Sequence, residues 1–358
     1  MRRRPGSQPT FLPLGRDALA WVRLGGTPAR GRWMHSVAQR WQSFWFERNL
    51  ALQRMSPPPP ARALDPVFIL GLWRSGTTYL HSLLGTCPGM YSPTTFQCMN
   101  SSAFRLVPAP KEGKSISRPM DGMTIATSSP QEDEFALLAL GVPSTYLGFI
   151  DPRRLPELAR WLDPGSWTQA GIRGWPERWT EFLAGVCDGR PGRVVLKSPG
   201  HTFRIGVLAP MFPGASHVWL TRDPTDVFLS NRKMWRAMVE RYSLWDFEPA
   251  VLDSFLTVAL ERAAECLVVA TAILGREKLA VIGFEQLTGA PVDSLEKLNR
   301  RLGLGEWGAM HSAIATAAAA GEGHRAAGYD RRDLPDAAAA AAETLRQVQA
   351  RAISSHGI

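Results

Sequence analysis

The stretch Val67-Phe-Ile-Leu-Gly-Leu-Trp-Arg-Ser-Gly-Thr-Thr78, continued by Tyr-Leu-His-Ser-Leu-Leu84, decides how this 358-residue chain folds. Four apolar residues at 67–70 read as a short buried strand, and the apolar spacing of 77–84 reads as a helix. The loop between them, Gly71-x-x-x-x-Gly76, has the length and glycine positions of the phosphate-binding P-loop, GxxxxGK[ST], in the strand-to-helix setting that motif needs. Its backbone N–H groups and the positive end of the helix dipole suit a phosphate ester. Thr77 stands where nucleotide hydrolases carry the lysine that reaches the terminal phosphates, and Arg74 supplies a cation from a different place. No later strand ends in an acid poised for a metal, because the third leads into Thr221-Arg222-Asp223. The loop therefore reads as holding a phosphate ester, without a γ-phosphate and without obligatory Mg²⁺.

The pattern of strand, loop and helix recurs outward from this loop. Residues 194–196 precede a Pro/Gly turn and a helical stretch at 202–211; residues 217–220 precede a long amphipathic stretch at 226–242; residues 279–284 are a fourth strand candidate. Short apolar strands alternating with helices imply a mostly parallel sheet with helices on both faces, hence an α/β three-layer domain whose ligands sit beyond the carboxyl ends of the strands. Between residues 91 and 190 the alternation lapses into a helical insertion carrying Trp161, Trp167, Trp175 and Trp179, for which packing inside a helical subdomain is favoured over lining an acceptor pocket. The Ala-rich runs at 317–320 and 337–342 are helix formers.

The composition, 45% hydrophobic and 20% charged, excludes disordered and fibrous classes. The net charge of +9 is unevenly placed. Residues 1–60 hold ten Arg against Asp17 and Glu47, or +8, which leaves +1 on the other 298 residues. A nearly neutral body argues against a nucleic-acid-binding fold, whose cations would cluster on the fold itself. Residues 1–60, closed by the proline run at 57–60, read as an arm carrying Trp21, Trp33, Trp41 and Trp45, ahead of a domain over 61–358. Packing of those tryptophans on the main domain is the favoured reading, with peripheral contact to an anionic membrane as the alternative. Cys87, Cys98, Cys187 and Cys266 are widely spaced, with no CxxC pair, and imply a reducing compartment. With no apolar run of membrane-spanning length and no signal-like start, a cytoplasmic protein is expected.

At this point the chain resembles a known family, the sulfotransferases that use 3′-phosphoadenosine 5′-phosphosulfate (PAPS). The resemblance lies in WRSGTTYLHSLL at 73–84, VVLKSPGH at 194–201 and LTRDPTDVFLS at 220–230, with weaker support from VIGFEQL at 281–287. It implies that residues 74–78 wrap the 5′-phosphosulfate: Arg74 meets the charge growing on the leaving phosphate, the amides of the Gly76 turn cradle it, and the hydroxyls of Ser75, Thr77 and Thr78 donate hydrogen bonds. Sulfuryl transfer leaves the protein chiefly to align the reactants and stabilise charge, which such a loop can do. The resemblance further assigns Arg222 and Ser230 to the 3′-phosphate, Lys197 to the transferring group or the bridging oxygen, and a clasp over the nucleotide to His324, Arg325 and Tyr329. A competing reading pairs Arg222 with Asp223 or Asp226 as a structural ion pair.

The acceptor hydroxyl needs a general base. Cytosolic animal members of the family place a His two residues after the motif lysine, but here Pro199 stands there, with His201 two positions later. The segment Gln131-Glu-Asp-Glu-Phe-Ala-Leu137 resembles the acidic segment of a branch common in bacteria, so Glu132 and Glu134 are candidates beside His201. Glu132 also completes a possible capping box with Ser129, with Pro130 at the first helical position. His81 reads as a packed helix residue, and no cluster has metal-ligand spacing. The expected activity is sulfuryl transfer from PAPS, with no metal required, to a hydroxyl of a small-molecule, glycan or lipid acceptor. A P-loop kinase and a non-enzymatic protein binding membrane or nucleic acid through its basic arm stand as alternatives.

Overall fold

The structure, a computed structural model, describes residues 14–23, 33–59, 65–110, 115–117, 124–142, 144–163, 165, 174–243, 245–320 and 330–358. The first elements are helices α1 (Arg16–Arg23) and α2 (Trp33–Arg54), strand β1 (Val67–Leu70), helix α3 (Thr77–Gly85) and strand β2 (Met90–Tyr91). A hairpin of β3 (Ser115–Ser117) and β4 (Thr124–Ala126) follows, then β5 (Arg193–Lys197), β6 (Ser216–Thr221) and β7 (Leu279–Gly283), with helices between. The chain divides into two compact units, one of residues 62–93, 190–231 and 256–358 and one of residues 1–61, 94–189 and 232–255.

The first unit holds a parallel sheet in the order β2-β5-β1-β6-β7. All four residues of β1 are fully buried, as expected of a strand with helices on both faces. Val195 of β5, Val218 and Leu220 of β6, and Ala280 and Ile282 of β7 join Leu80, Leu83 and Leu84 of α3 in one core. Burying each large aliphatic side chain contributes roughly 1.5–3 kcal/mol, so this core holds the carboxyl ends of the strands in register. The α/β architecture matches the expectation, and three features depart from it. Strand β2 pairs with β5 at the sheet edge where a helical insertion was expected to begin, two residues being too short for a periodicity signal. Pro199 and Gly200, expected as a turn, instead open the helix Pro199–Phe203, with proline in the first turn where its missing N–H costs nothing. Phe284, expected as the end of the last strand, starts the helix Phe284–Gly289.

The second unit is mainly helical, but its β3–β4 hairpin is antiparallel, an element the insertion was not expected to contain. The stacked rings of Trp175 and Trp179, 5.4 Å between centroids, and the cluster of Phe149, Trp235 and Phe255 centre its core, so these tryptophans do pack as expected. Trp167 lies outside the described residues. The capping box expected from Ser129 and Glu132 does not form. The helix begins at Glu134, Ser129 Oγ accepts the N–H of Ala126 at 3.1 Å, and Glu132 accepts a hydrogen bond from Tyr146 Oη. The box is found instead at Thr94 and Gln97. Of the arm tryptophans, Trp41 and Trp45 do not pack as favoured, being 64% and 37% exposed, and the side chains of Trp21 and Trp33 lie outside what the structure describes.

His217 of β6 stacks on Phe68, with ring centroids 5.4 Å apart, and its Nδ1 lies 3.3 Å from the Lys278 carbonyl. Burial lowers its pKa from 6.5 to about 4, so the ring is neutral in the fold, whereas the unfolded chain takes up a proton below its ordinary value. The fold therefore loses this stability as pH falls from about 6.5 towards 4, by about 2 kcal/mol at pH 5. Urea unfolding at pH 7 and pH 5 should show His217→Leu losing about that much less than the unaltered chain over the same interval.

Candidate functional site

Because β1 lies between β5 and β6 and all three are parallel, their carboxyl ends place three sequence motifs side by side. The loop of residues 71–76 leaves β1, Lys197 ends β5, and Arg222 follows β6. This is where an open parallel sheet binds ligands.

The loop's backbone is specialised. Gly71 has φ +137°, and a Cβ there would stand 2.8 Å from the Leu220 carbonyl and from Ser75 Oγ; Gly76, at φ +98°, caps α3 with the Phe284 ring 2.3 Å from where its Cβ would be. Arg74 takes the left-handed conformation without being glycine, at φ +68°. No side chain caps the start of α3, an arrangement in which first-turn N–H groups and the helix dipole suit an anion.

Side chains from the segments that follow the neighbouring strands hold the loop. Thr202 Oγ accepts the Gly71 N–H at 2.8 Å and donates to the Gly71 carbonyl at 2.9 Å. Asn231 Nδ2 donates to the Trp73 carbonyl at 2.8 Å, and Arg222 Nη1 to the Arg74 carbonyl at 3.0 Å. Ser75 uses its hydroxyl to donate to the Leu72 carbonyl at 2.7 Å, so that proton serves the loop. Thr202 and Asn231 were not singled out in the sequence, though a short polar residue on a helix face that is otherwise buried is the signal that could have found them.

The structure brings together Arg74, Ser75, Gly76, Thr77, Thr78, Lys197, Arg222 and Ser230. Arg74 Nε donates to Ser230 Oγ at 3.1 Å, and the buried Lys197 Nζ donates to Thr78 Oγ1 at 3.3 Å. The Arg222 guanidinium lies over the Phe284 ring, 4.5 Å from its centroid, and its buried Nε has no hydrogen-bond partner. The structural ion pair considered for Arg222 is not what its acidic neighbours make: Asp226 pairs with Arg331 at 3.0 Å and Asp223 with Arg346 at 3.2 Å. A buried guanidinium N–H left without an acceptor, with Arg74 and Lys197 at the same end of the sheet, has the chemistry to take an anion. His81 packs in α3 with Nε2 2.9 Å from Ser92 Oγ. His324, Arg325 and Tyr329 lie outside the described residues.

Of the base candidates, His201 is buried in the sheet unit, edge-on to Phe68 with centroids 5.6 Å apart. Glu134 is buried in the helical unit, and Glu132, hydrogen-bonded to Tyr146, is partly exposed there. Among the described residues no group of three or more His, Cys, Asp or Glu is placed to hold a metal ion.

A family model described as the sulfotransferase family matches residues 66–308. The omega-hydroxy-beta-dihydromenaquinone-9 sulfotransferases Stf3 of Mycobacterium bovis and Mycobacterium tuberculosis are each 31% identical over 278 residues, 76% of this chain and 70% of theirs. Among solved structures, sulfotransferase STF9 of Mycobacterium avium aligns with TM-score 0.68 and 19% identity, over 96% of this chain and 92% of its own. Sulfotransferase STF1 of Mycobacterium tuberculosis aligns with TM-score 0.64 and 17% identity, over 92% and 90%. These structural likenesses support the fold.

The bonds between Thr202 and Gly71 carry a test of how the loop is held. Thr202→Val keeps the shape but leaves a buried N–H and carbonyl without partners, and should cost about 3 kcal/mol in urea unfolding of the full chain. Thr202→Ser, which retains the hydroxyl, should cost about 1 kcal/mol.

Proposed function

The chain belongs to the sulfotransferase family of enzymes, and on that premise we propose that it transfers a sulfuryl group from PAPS to a hydroxyl of a lipid-like acceptor. Membership sets aside the kinase and the non-enzymatic readings. The observation that carries the choice of donor is the unpartnered, buried Nε of Arg222 beside the loop that Arg222 itself holds. A guanidinium with a nearby hydroxyl, here Ser230, suits a dianionic phosphate monoester, and Thr77 in place of the P-loop lysine suits a nucleotide without a γ-phosphate.

In this reading the residues of the site have distinct tasks. PAPS supplies a sulfuryl group on a phosphate leaving group. Arg222 and Ser230 hold the 3′-phosphate; the first-turn amides of α3, with Thr77 and Thr78, hold the 5′-phosphate; Arg74 offsets charge on the departing phosphate oxygen. Lys197, anchored on Thr78, faces the transferring group from the end of β5. The acceptor oxygen forms the new bond to sulfur as the sulfur–oxygen bond to the phosphate breaks, and its proton goes to a base. Among Glu132, Glu134 and His201, the partly exposed Glu132 is the choice, since a base has to reach its substrate, and it lies in the segment that resembles the acidic one of the bacterial branch. Residues 61–358 form the sulfotransferase domain, with 91–190 as its acceptor-side insertion and 1–60 as an arm. The lipid-like acceptor is supported by the Stf3 relatives, which are named for a dihydromenaquinone.

Calorimetric titration of adenosine 3′,5′-bisphosphate without metal tests the donor. The unaltered chain should bind it, and Arg222→Ala should bind it about 10- to 100-fold more weakly, the worth of a charge-assisted hydrogen bond. Absence of binding, or binding of ATP with Mg²⁺ alone, would overturn the assignment. For the base, Glu132→Gln should lower kcat about 10²- to 10⁴-fold while leaving bisphosphate affinity unchanged. Tyr146→Phe, which removes only the hydroxyl partner, should retain most of the rate.

A further inference from the structure

Helix α2 is built inside out. Its buried stripe is Gln39, Ser43, Phe46, Leu50 and Gln53, each no more than 9% exposed, and three of these five are polar. Its outward stripe is Val37, Trp41, Phe44, Leu52 and Met55, with Trp45 beside them, and these six are 37–78% exposed. At 3.6 residues per turn the two sets fall on opposite sides of the helix.

The orientation is held by specific bonds. Gln53 Nε2 donates to the Ser101 carbonyl at 3.1 Å, and its Oε1 accepts the Arg105 N–H at 3.1 Å. Turning the helix over would bury the aromatics but break both. Outside, Trp41, Phe44 and Trp45 form a cluster of their own, with centroids 5.7–6.4 Å apart, and the Arg48 guanidinium lies 4.9 Å from the Trp45 ring centroid.

Charge selects the occupant. Arg40 and Arg48 are exposed along the same helix, whose acid, Glu47, accepts the backbone N–H of Arg16 at 2.6 Å, while Arg54 near its end is paired with Glu181 at 2.8 Å. Residues 1–60 together carry ten Arg against two acids. A second copy of this chain would bring the same cationic segment against itself, whereas an anionic surface is attracted to it. Exposed tryptophan and phenylalanine flanked by arginine is the chemistry of a helix lying in the headgroup layer, rings among the acyl chains and guanidinium groups on phosphates. Among the described residues no helix is long and apolar enough to cross a membrane, so the contact is peripheral.

We infer that the outward face of α2 docks the protein on an anionic lipid bilayer, with Trp41, Phe44 and Trp45 inserted and Arg48 on the lipid phosphates. This rests on α2 and not on the choice of donor, acceptor or base.

The test is co-sedimentation of the full chain, without nucleotide, with phosphatidylcholine vesicles that contain or lack phosphatidylglycerol. Binding should require the anionic lipid and weaken with salt. Trp41→Ser with Phe44→Ser should lower partitioning about tenfold or more, and so should Leu52→Ser with Met55→Ser, which leaves the aromatic cluster in place. Val268→Ser with Ile273→Ser, exposed apolar positions outside α2, should leave it unchanged. No binding to anionic vesicles would overturn the inference, as would binding that both α2 variants retain. A dimer dissolved by the α2 variants in sedimentation equilibrium, with no vesicle binding, would identify the face as a self-association surface and overturn it equally.

Discussion

Parallel pairing of β1 with β5 on one side and β6 on the other is the constraint on which the candidate site at the carboxyl end of the sheet depends. It gathers a loop, a lysine and an arginine that lie 71, 197 and 222 residues into the chain and points them the same way. Three cations in one place repel one another, and the arrangement is stable because the core beneath it is large and because the loop is tied at successive carbonyls, Gly71 by Thr202, Trp73 by Asn231 and Arg74 by Arg222. The last bond has a second effect. Arg74 sits in a left-handed conformation that costs a non-glycine residue of order 1–2 kcal/mol, and a charge-assisted bond to its carbonyl offsets that cost. Arg222 thus shapes the loop with one nitrogen while its buried Nε has no hydrogen-bond partner.

The helical unit obeys a different economy. Its interior is aromatic, with Trp175 on Trp179 and Trp235 between Phe149 and Phe255, and large rigid rings bury much area at little conformational cost. Asp133 shows how a carboxyl group is accommodated there, accepting the indole N–H of the fully buried Trp179 at 2.9 Å. Its neighbours Glu132 and Glu134, read together from one acidic segment, end in different surroundings because a single helical turn begins between them. The same physics makes α2 conspicuous, since a unit that buries Trp175, Trp179, Trp235, Phe149 and Phe255 leaves Trp41, Phe44 and Trp45 on the outside.

Much of the sheet unit was legible in the chain alone. The apolar run at 67–70, the two glycines of the loop and the helical spacing after Thr77 specify strand, turn and helix through local sterics and periodicity, and each is found where it was read. What local reasoning misses is partnership. Strand β2 is two residues long and exists because β5 offers it hydrogen bonds. Ser129 had the right spacing for a helix cap, but the Ala126 N–H was nearer. Thr202 looked like one more residue after His201, and only the fold shows that its hydroxyl closes on Gly71 from 131 positions away.

By itself the sequence determined an α/β fold, the glycine-bounded loop between the first strand and its helix, and the family, because strand and helix periods, obligatory glycines and short contiguous motifs are properties of neighbours along the chain. Only the tertiary structure decided which acids take Arg331 and Arg346 and so leave Arg222 to other partners, and which side of α2 faces water. Those outcomes turn on competition among groups distant in sequence for the same hydrogen bonds and the same buried volume, and such competition is resolved when the chain packs.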